Sequence, residues 1–218
     1  MKKILLVYGQ ALSHSGLREL VHADQHLLLA EEVGSSREAV SMLRQRAFDV
    51  VILDVSSPEK NGLELFCDLK QAAPTLPILI INGSEHPARM MHFVRMGCTA
   101  YLPYTTASAL VVPTLLSLSC GRDCLLSHQQ ALAARQHHLP HERLSLRELQ
   151  VYFKLIKGQT VNAVANELAI APGSVSVFRS KILKKMNMPN NAALIQYALE
   201  HQLMPLTGGD RKPATASA

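Results

Sequence analysis

No stretch of this 218-residue sequence stays apolar for the roughly 18 residues that a bilayer-spanning helix needs, which excludes a membrane protein of that kind. Cysteine is scarce: the four, Cys67, Cys98, Cys120 and Cys124, come without an export signal. They read as free thiols in a reducing cytoplasm, not as a secreted disulfide framework. The N-terminal Lys2-Lys3 and the short apolar run after them meet polar residues before any small-residue cleavage site, so the run is expected to be a first strand rather than a signal peptide. Tryptophan is absent, and Phe and Tyr number five each. What is present is a 48% hydrophobic fraction, too high for a disordered chain and enough for one or two domains with their own cores.

The formal charge of +5 is unevenly spread. Residues 1–121 sum to −1, whereas residues 144–205 sum to +4. Four of the seven cations in that C-terminal segment (Arg179, Lys181, Lys184 and Lys185) lie within seven residues of one another. Such a focused basic patch is the electrostatic footprint of a polyanion partner; an isolated patch reads rather as a solvated helix face, and the motif around it shifts that reading.

The N-terminal part alternates two periodicities. Continuous apolar runs at Lys3–Tyr8, His26–Val33, Asp49–Val55, Pro77–Asn82 and Thr99–Leu102 predict strands buried on both faces. Helical patterns fall between them: Leu12, Leu17, Leu20 and Val21; Ala39, Val40, Leu43 and Ala47 after Ser35-Ser36; Leu63, Leu65, Phe66 and Leu69; and Met90, Met91, Phe93 and Val94. Five strand–helix units in about 120 residues predict an α/β, flavodoxin-like doubly wound parallel sheet, with its site at the carboxyl ends of the strands. Those ends are Tyr8-Gly9, Asp54, Asn82 and Tyr104. Pro113 falls inside the expected fifth helix, Thr106–Ser119, and is predicted to kink or restart it.

The segment from Asp54 through Ser56-Ser57-Pro58-Glu59-Lys60-Asn61-Gly62 resembles the phosphoacceptor strand and loop of response-regulator receiver domains, and Met96-Gly97-Cys98-Thr99-Ala100-Tyr101-Leu102-Pro103 resembles their fifth-strand region. The resemblance implies a receiver over residues 1–121, but a departure from the family pattern runs through its pocket. A working receiver holds Mg²⁺ with an acidic pair after the first strand plus the acceptor Asp, and neutralises the phosphoryl group with a Lys. Here the acidic pair falls on Tyr8 and Gly9, the hydroxyl residue on Asn82 and the Lys on Tyr104; only Asp54 remains. The expectation is a pseudo-receiver without a metal or other cofactor, not switched by ordinary phosphorylation.

Residues 122–143 are expected to be a polar linker. Cys120, Cys124 and His128 would share a helix face there, but Gly121 interrupts the helix, so no metal site is expected. Residues 206–218 are expected to be a disordered tail.

The C-terminal segment predicts four helices. Ser145 and Glu148 stand at capping-box spacing, Thr160 caps a short second helix, and Ala169-Ile170-Ala171 turns into Pro172 and a basic third helix that ends near Asn187; the fourth spans Asn191–Leu203. Val164-Ala165-Asn166-Glu167-Leu168-Ala169-Ile170, Ser174-Val175-Ser176-Val177-Phe178-Arg179 and Ile182-Leu183-Lys184-Lys185-Met186-Asn187-Met188 resemble the LuxR-type helix-turn-helix of NarL/FixJ response regulators over residues 143–203. The resemblance implies base-edge contacts at Ser176, Val177 and Ser180, with Arg179, Lys181, Lys184 and Lys185 as phosphate contacts and Thr160 and Ser174 as neutral donors. Ala171 replaces the usual polar cap before the recognition helix. The expected protein is a cytoplasmic regulator, not an enzyme, that binds double-stranded promoter DNA as a homodimer, pairing through the fourth helix. The receiver would answer to another regulator or a small ligand. Two alternatives stay open: an auxiliary protein that heterodimerises with another regulator, and a conventional regulator phosphorylated at Asp54.

Overall fold

The computed structural model describes residues 1–8, 15–56, 61–82, 87–122 and 139–204. Gly9, Cys124, His128 and the expected tail lie outside the described residues. The first part is an alternating series: β1 (Lys2–Val7), α1 (Ser15–His22), β2 (Leu27–Val33), α2 (Ser36–Gln45), β3 (Val50–Asp54), α3 (Gly62–Ala72), β4 (Ile78–Asn82), α4 (Pro87–Arg95), β5 (Ala100–Pro103) and α5 (Tyr104–Ser119). The strands form one parallel sheet in the order β2-β1-β3-β4-β5, as the apolar runs predict.

Alternation along each strand divides the core. Ile4, Leu6, Ile52, Leu79 and Ile81 turn toward α1 and α5 with Leu17, Val21, Val111 and Leu115. Leu5, Val7, Val51, Leu53 and Ile80 turn the other way, toward α2, α3 and α4 with Ala39, Phe66, Leu69 and Phe93.

Contrary to the sequence expectation, α5 is not restarted at Pro113: it is one helix from Tyr104 to Ser119. Val111 and Leu115 are fully buried on either side of the proline, so packing against the sheet carries the helix through the missing N–H without a break. Cys67 and Cys98 are buried free thiols; burial pushes both up, Cys98 to about 12, which keeps them protonated and unreactive.

A 3-10 turn, Pro140–Arg143, leads into α6 (Leu146–Ile156), α7 (Val161–Leu168), α8 (Pro172–Met186) and α9 (Asn191–Glu200). The caps explain the starts. Ser145 and Glu148 form a reciprocal capping box on α6, Thr160 accepts from Ala163 N, and Asn190 accepts from Ala193 N. Ala169 and Asn187 end α7 and α8 in the left-handed conformation. Ala171 makes no side-chain cap on α8. Ala171→Ser therefore supplies the missing acceptor and is expected to raise stability by about 1 kcal/mol, read as a higher thermal midpoint.

The two units pack through α3 and α6. Helix α6 is buried from Glu148 to Ile156 without interruption, its apolar side facing the helical core and its polar side facing the first unit. Lys154 Nζ bonds Glu64 Oε1 of α3 at 3.1 Å and Glu167 Oε1 of α7 at 2.6 Å. Lys157 pairs with the other Glu64 oxygen. Gln150 donates to Asp68 at 2.7 Å, and Ser36 donates to the second Asp68 oxygen at 2.6 Å. Asn61 closes the seam by donating to the Leu203 carbonyl at 3.0 Å.

Candidate nucleic-acid interface

Helix α8 buries Val175, Ile182 and Met186 and leaves the opposite face open. Ser176, Val177, Ser180, Lys181 and Lys184 are all exposed, and no element of the sheet unit covers them. Val177 is 54% exposed, an apolar side chain where a thymine methyl would sit in a major groove. Ser180 donates its hydroxyl to the Ser176 carbonyl at 3.1 Å, and Ser176 donates to the Pro172 carbonyl at 3.4 Å. Each serine oxygen is left as an acceptor, suited to the amino group of adenine or cytosine. Thr160 is exposed at the start of α7, its oxygen used by the cap; Ser174 is half-buried in the first turn of α8.

The four basic candidates divide. Lys181 and Lys184 are exposed and line an open cleft with Arg143, Glu148 and Lys185. Lys185 is tied to Glu148 at 2.6 Å, and Arg179 Nε donates to Asn191 Oδ1 at 2.8 Å, joining α8 to the start of α9. Arg179 and Lys185 thus hold the helical unit together, which the sequence pattern alone did not distinguish. Burial pushes the Glu148 carboxyl up, but bonds from Lys185 and the Ser145 amide outweigh it and hold the group below its usual 4.5. Its contribution to stability is present above pH 4.5 and is lost as pH falls through the lower folded value. Thermal melts between pH 7 and pH 3 are expected to show a flatter acid limb in Glu148→Gln.

At the carboxyl edge of the sheet, Asp54 is 3% exposed and accepts from the Ser56 amide at 2.9 Å and from the Ser56 hydroxyl. Asn82, also buried, donates to the Tyr101 hydroxyl at 2.6 Å. Tyr8 is half-buried at the end of β1, its ring beside Gly34. The Tyr104 phenol is pushed up first by burial and then by the charge of Asp54, so a neutral hydroxyl stands where a cation is needed for a phosphoryl group.

A third cluster, unforeseen in the sequence, lies between the units. His92 of α4 is 3% exposed and its ring packs edge-on to His141 of the 3-10 turn, centroids 5.0 Å apart. Nε2 of His92 meets the His201 carbonyl at 3.2 Å, while His141 Nδ1 meets the Tyr197 hydroxyl at 2.8 Å. Arg95 bonds Glu142 at 2.6 Å. Burial lowers both histidines, His141 to about 3, with the nearby cationic groups adding to it.

Two family models match the chain. Residues 4–109 match the response regulator receiver domain, and residues 142–198 match the bacterial regulatory proteins of the luxR family. Response regulator UvrY of Escherichia coli (strain K12) is 30% identical over 214 residues, covering 93% of this chain and 96% of that protein. Transcriptional regulatory protein UhpA of Salmonella typhimurium is 28% identical over 197 residues, covering 89% and 96%. Among solved structures, RcsB from Salmonella enterica serovar Typhimurium bound to promoter rprA, in the presence of phosphomimetic BeF3-, is 18% identical with a TM-score of 0.56, covering 90% and 98%; that likeness is one of fold. Among the described residues no helix is long and apolar enough to cross a membrane. With a receiver-type sheet followed by a helix-turn-helix of luxR type, the chain belongs to the family of response regulators with a LuxR-type DNA-binding domain, a family of transcription regulators and not of enzymes.

Proposed function

We propose that this protein binds double-stranded promoter DNA as a homodimer in the cytoplasm and that its receiver does not use phosphorylation of Asp54 as the switch. The observation that carries the first part is the open face of α8, with Ser176, Val177, Ser180, Lys181 and Lys184 exposed while Val175, Ile182 and Met186 on its other side are buried. Serine and valine discriminate bases less sharply than arginine, so phosphate contacts and DNA shape supply much of the selectivity. The outward residues of α9, Gln196, Leu199 and Glu200, are a surface open for pairing, because Tyr197 on the inner side packs on His141 and the carbonyls of His201 and Leu203 after the helix bond to His92 and Asn61 of the sheet unit. The second part rests on chemistry: one carboxylate is a poor Mg²⁺ site, and a phenol at Tyr104 supplies no positive charge. Another regulator or a small ligand at this edge would then set activity.

Chromatin immunoprecipitation with sequencing tests the DNA assignment. The expected result is a limited set of sites with two half-sites about one helical turn apart. Uniform coverage, with binding restored only by a second regulator, contradicts it and favours an auxiliary heterodimerising role.

A further inference from the structure

His92, His141 and Glu142 each offer one ligand atom, and these atoms lie within 4.8 Å of one another. His92 comes from α4 of the sheet unit; the other two come from the 3-10 turn that opens the helical unit. The second, independent observation is an orphan: Nδ1 of the buried His92 has no hydrogen-bond partner. A buried polar nitrogen left unmatched costs free energy, so such a group calls for an account.

The surroundings are those of a ligating imidazole. His92 uses Nε2 on the His201 carbonyl, the arrangement that fixes a metal-binding histidine's tautomer and leaves Nδ1 with its lone pair. His141 is oriented likewise through Nδ1 by the Tyr197 hydroxyl, leaving Nε2 as the nitrogen to offer. Glu142 is held in place by Arg95 and by the Leu139 amide at 3.0 Å. Two neutral imidazoles and a carboxylate suit a borderline ion such as Zn²⁺; Mg²⁺ and Ca²⁺ prefer oxygen throughout. Bonds of about 2.1 Å in a tetrahedral site put ligand atoms roughly 3.4 Å apart, so the three groups would draw together from within 4.8 Å on binding the ion.

We propose that His92, His141 and Glu142 bind a divalent transition-metal ion of the zinc class that fastens α4 of the receiver unit to the turn before the DNA-binding unit. Water completes the coordination.

The test is calorimetric titration of ZnCl₂ into chelator-treated full-length protein, with Co²⁺ absorption as a second readout. The expected result is one equivalent bound, Co²⁺ bands of low coordination number, and a thermal midpoint raised by Zn²⁺. His92→Gln keeps a donor for the His201 carbonyl and is expected to weaken binding at least tenfold, as is His141→Gln. Glu142→Gln leaves both rings in place, keeps an acceptor for the Leu139 amide and is expected to weaken binding at least tenfold as well, which keeps the test decisive if a histidine variant fails to fold. Absence of uptake, or uptake undiminished in the folded variants, overturns the proposal.

Discussion

Replacing Lys181 and Lys184 together by alanine is expected to lower affinity for promoter DNA roughly 100- to 1,000-fold near physiological salt. Both ammonium groups stand on the open face of α8. A dimer presents four of them, and each neutralised phosphate contributes about 0.9 to the slope of log affinity against log salt. The slope should therefore shrink by roughly three to four units. The loss should be similar for cognate and unrelated DNA, because phosphate contacts carry position rather than sequence. Lys185→Ala is the informative contrast. It frees Glu148 from its ion pair, so much of its cost should appear as instability rather than as a change of salt slope. Fluorescence titration at several salt concentrations, beside a thermal melt of each variant, separates the two.

Lys154→Met is expected to destabilise the packing between the units by about 3 kcal/mol. Lys154 is 1% exposed and lies between Glu64 and Glu167. Burial pushes its ammonium down, but Glu64, Glu167 and Asp68 outweigh this and hold it above its usual 10.5. It is charged throughout the neutral range, and the stability it contributes is lost only as pH rises through that raised value. Removing it leaves the buried Glu64 carboxylate with Lys157, itself half in water, as its remaining cation. Glu64→Leu in the same chain removes the stranded charge, so the double variant should recover most of the lost stability. Differential scanning calorimetry tests both; equal melting of wild type and Lys154→Met contradicts the assignment.

The sheet was legible because buried parallel strands read as unbroken apolar runs, and Lys3–Tyr8, Asp49–Val55 and Pro77–Asn82 each became one. The helical unit was legible through its caps, Ser145, Thr160 and Asn187. The restart that Pro113 allows does not occur, because local propensity yields to the packing of Val111 and Leu115. The polar side of α6 carries no such signal: Gln150 and Lys154 are buried against Asp68 and Glu64, more than 80 residues away in sequence. Nothing local marks such a partner. The same holds for His92 and His141, which no spacing motif connects. Arg179 and Lys185 carry the charge expected of phosphate contacts, and the structure adds bonds to Asn191 and Glu148 that a charge pattern does not show.

The proposal that phosphorylation of Asp54 is not the switch rests on the carboxyl edge of the sheet, where the Tyr104 phenol stands near the Asp54 carboxylate. The measurement that tests it most directly is incubation of the full-length protein with acetyl phosphate and Mg²⁺, followed by phosphate-affinity electrophoresis and by titration with promoter DNA. The expected result is no stoichiometric label at Asp54 and an unchanged affinity for DNA; full labelling of Asp54, lost in Asp54→Asn and accompanied by tighter binding, would contradict the proposal.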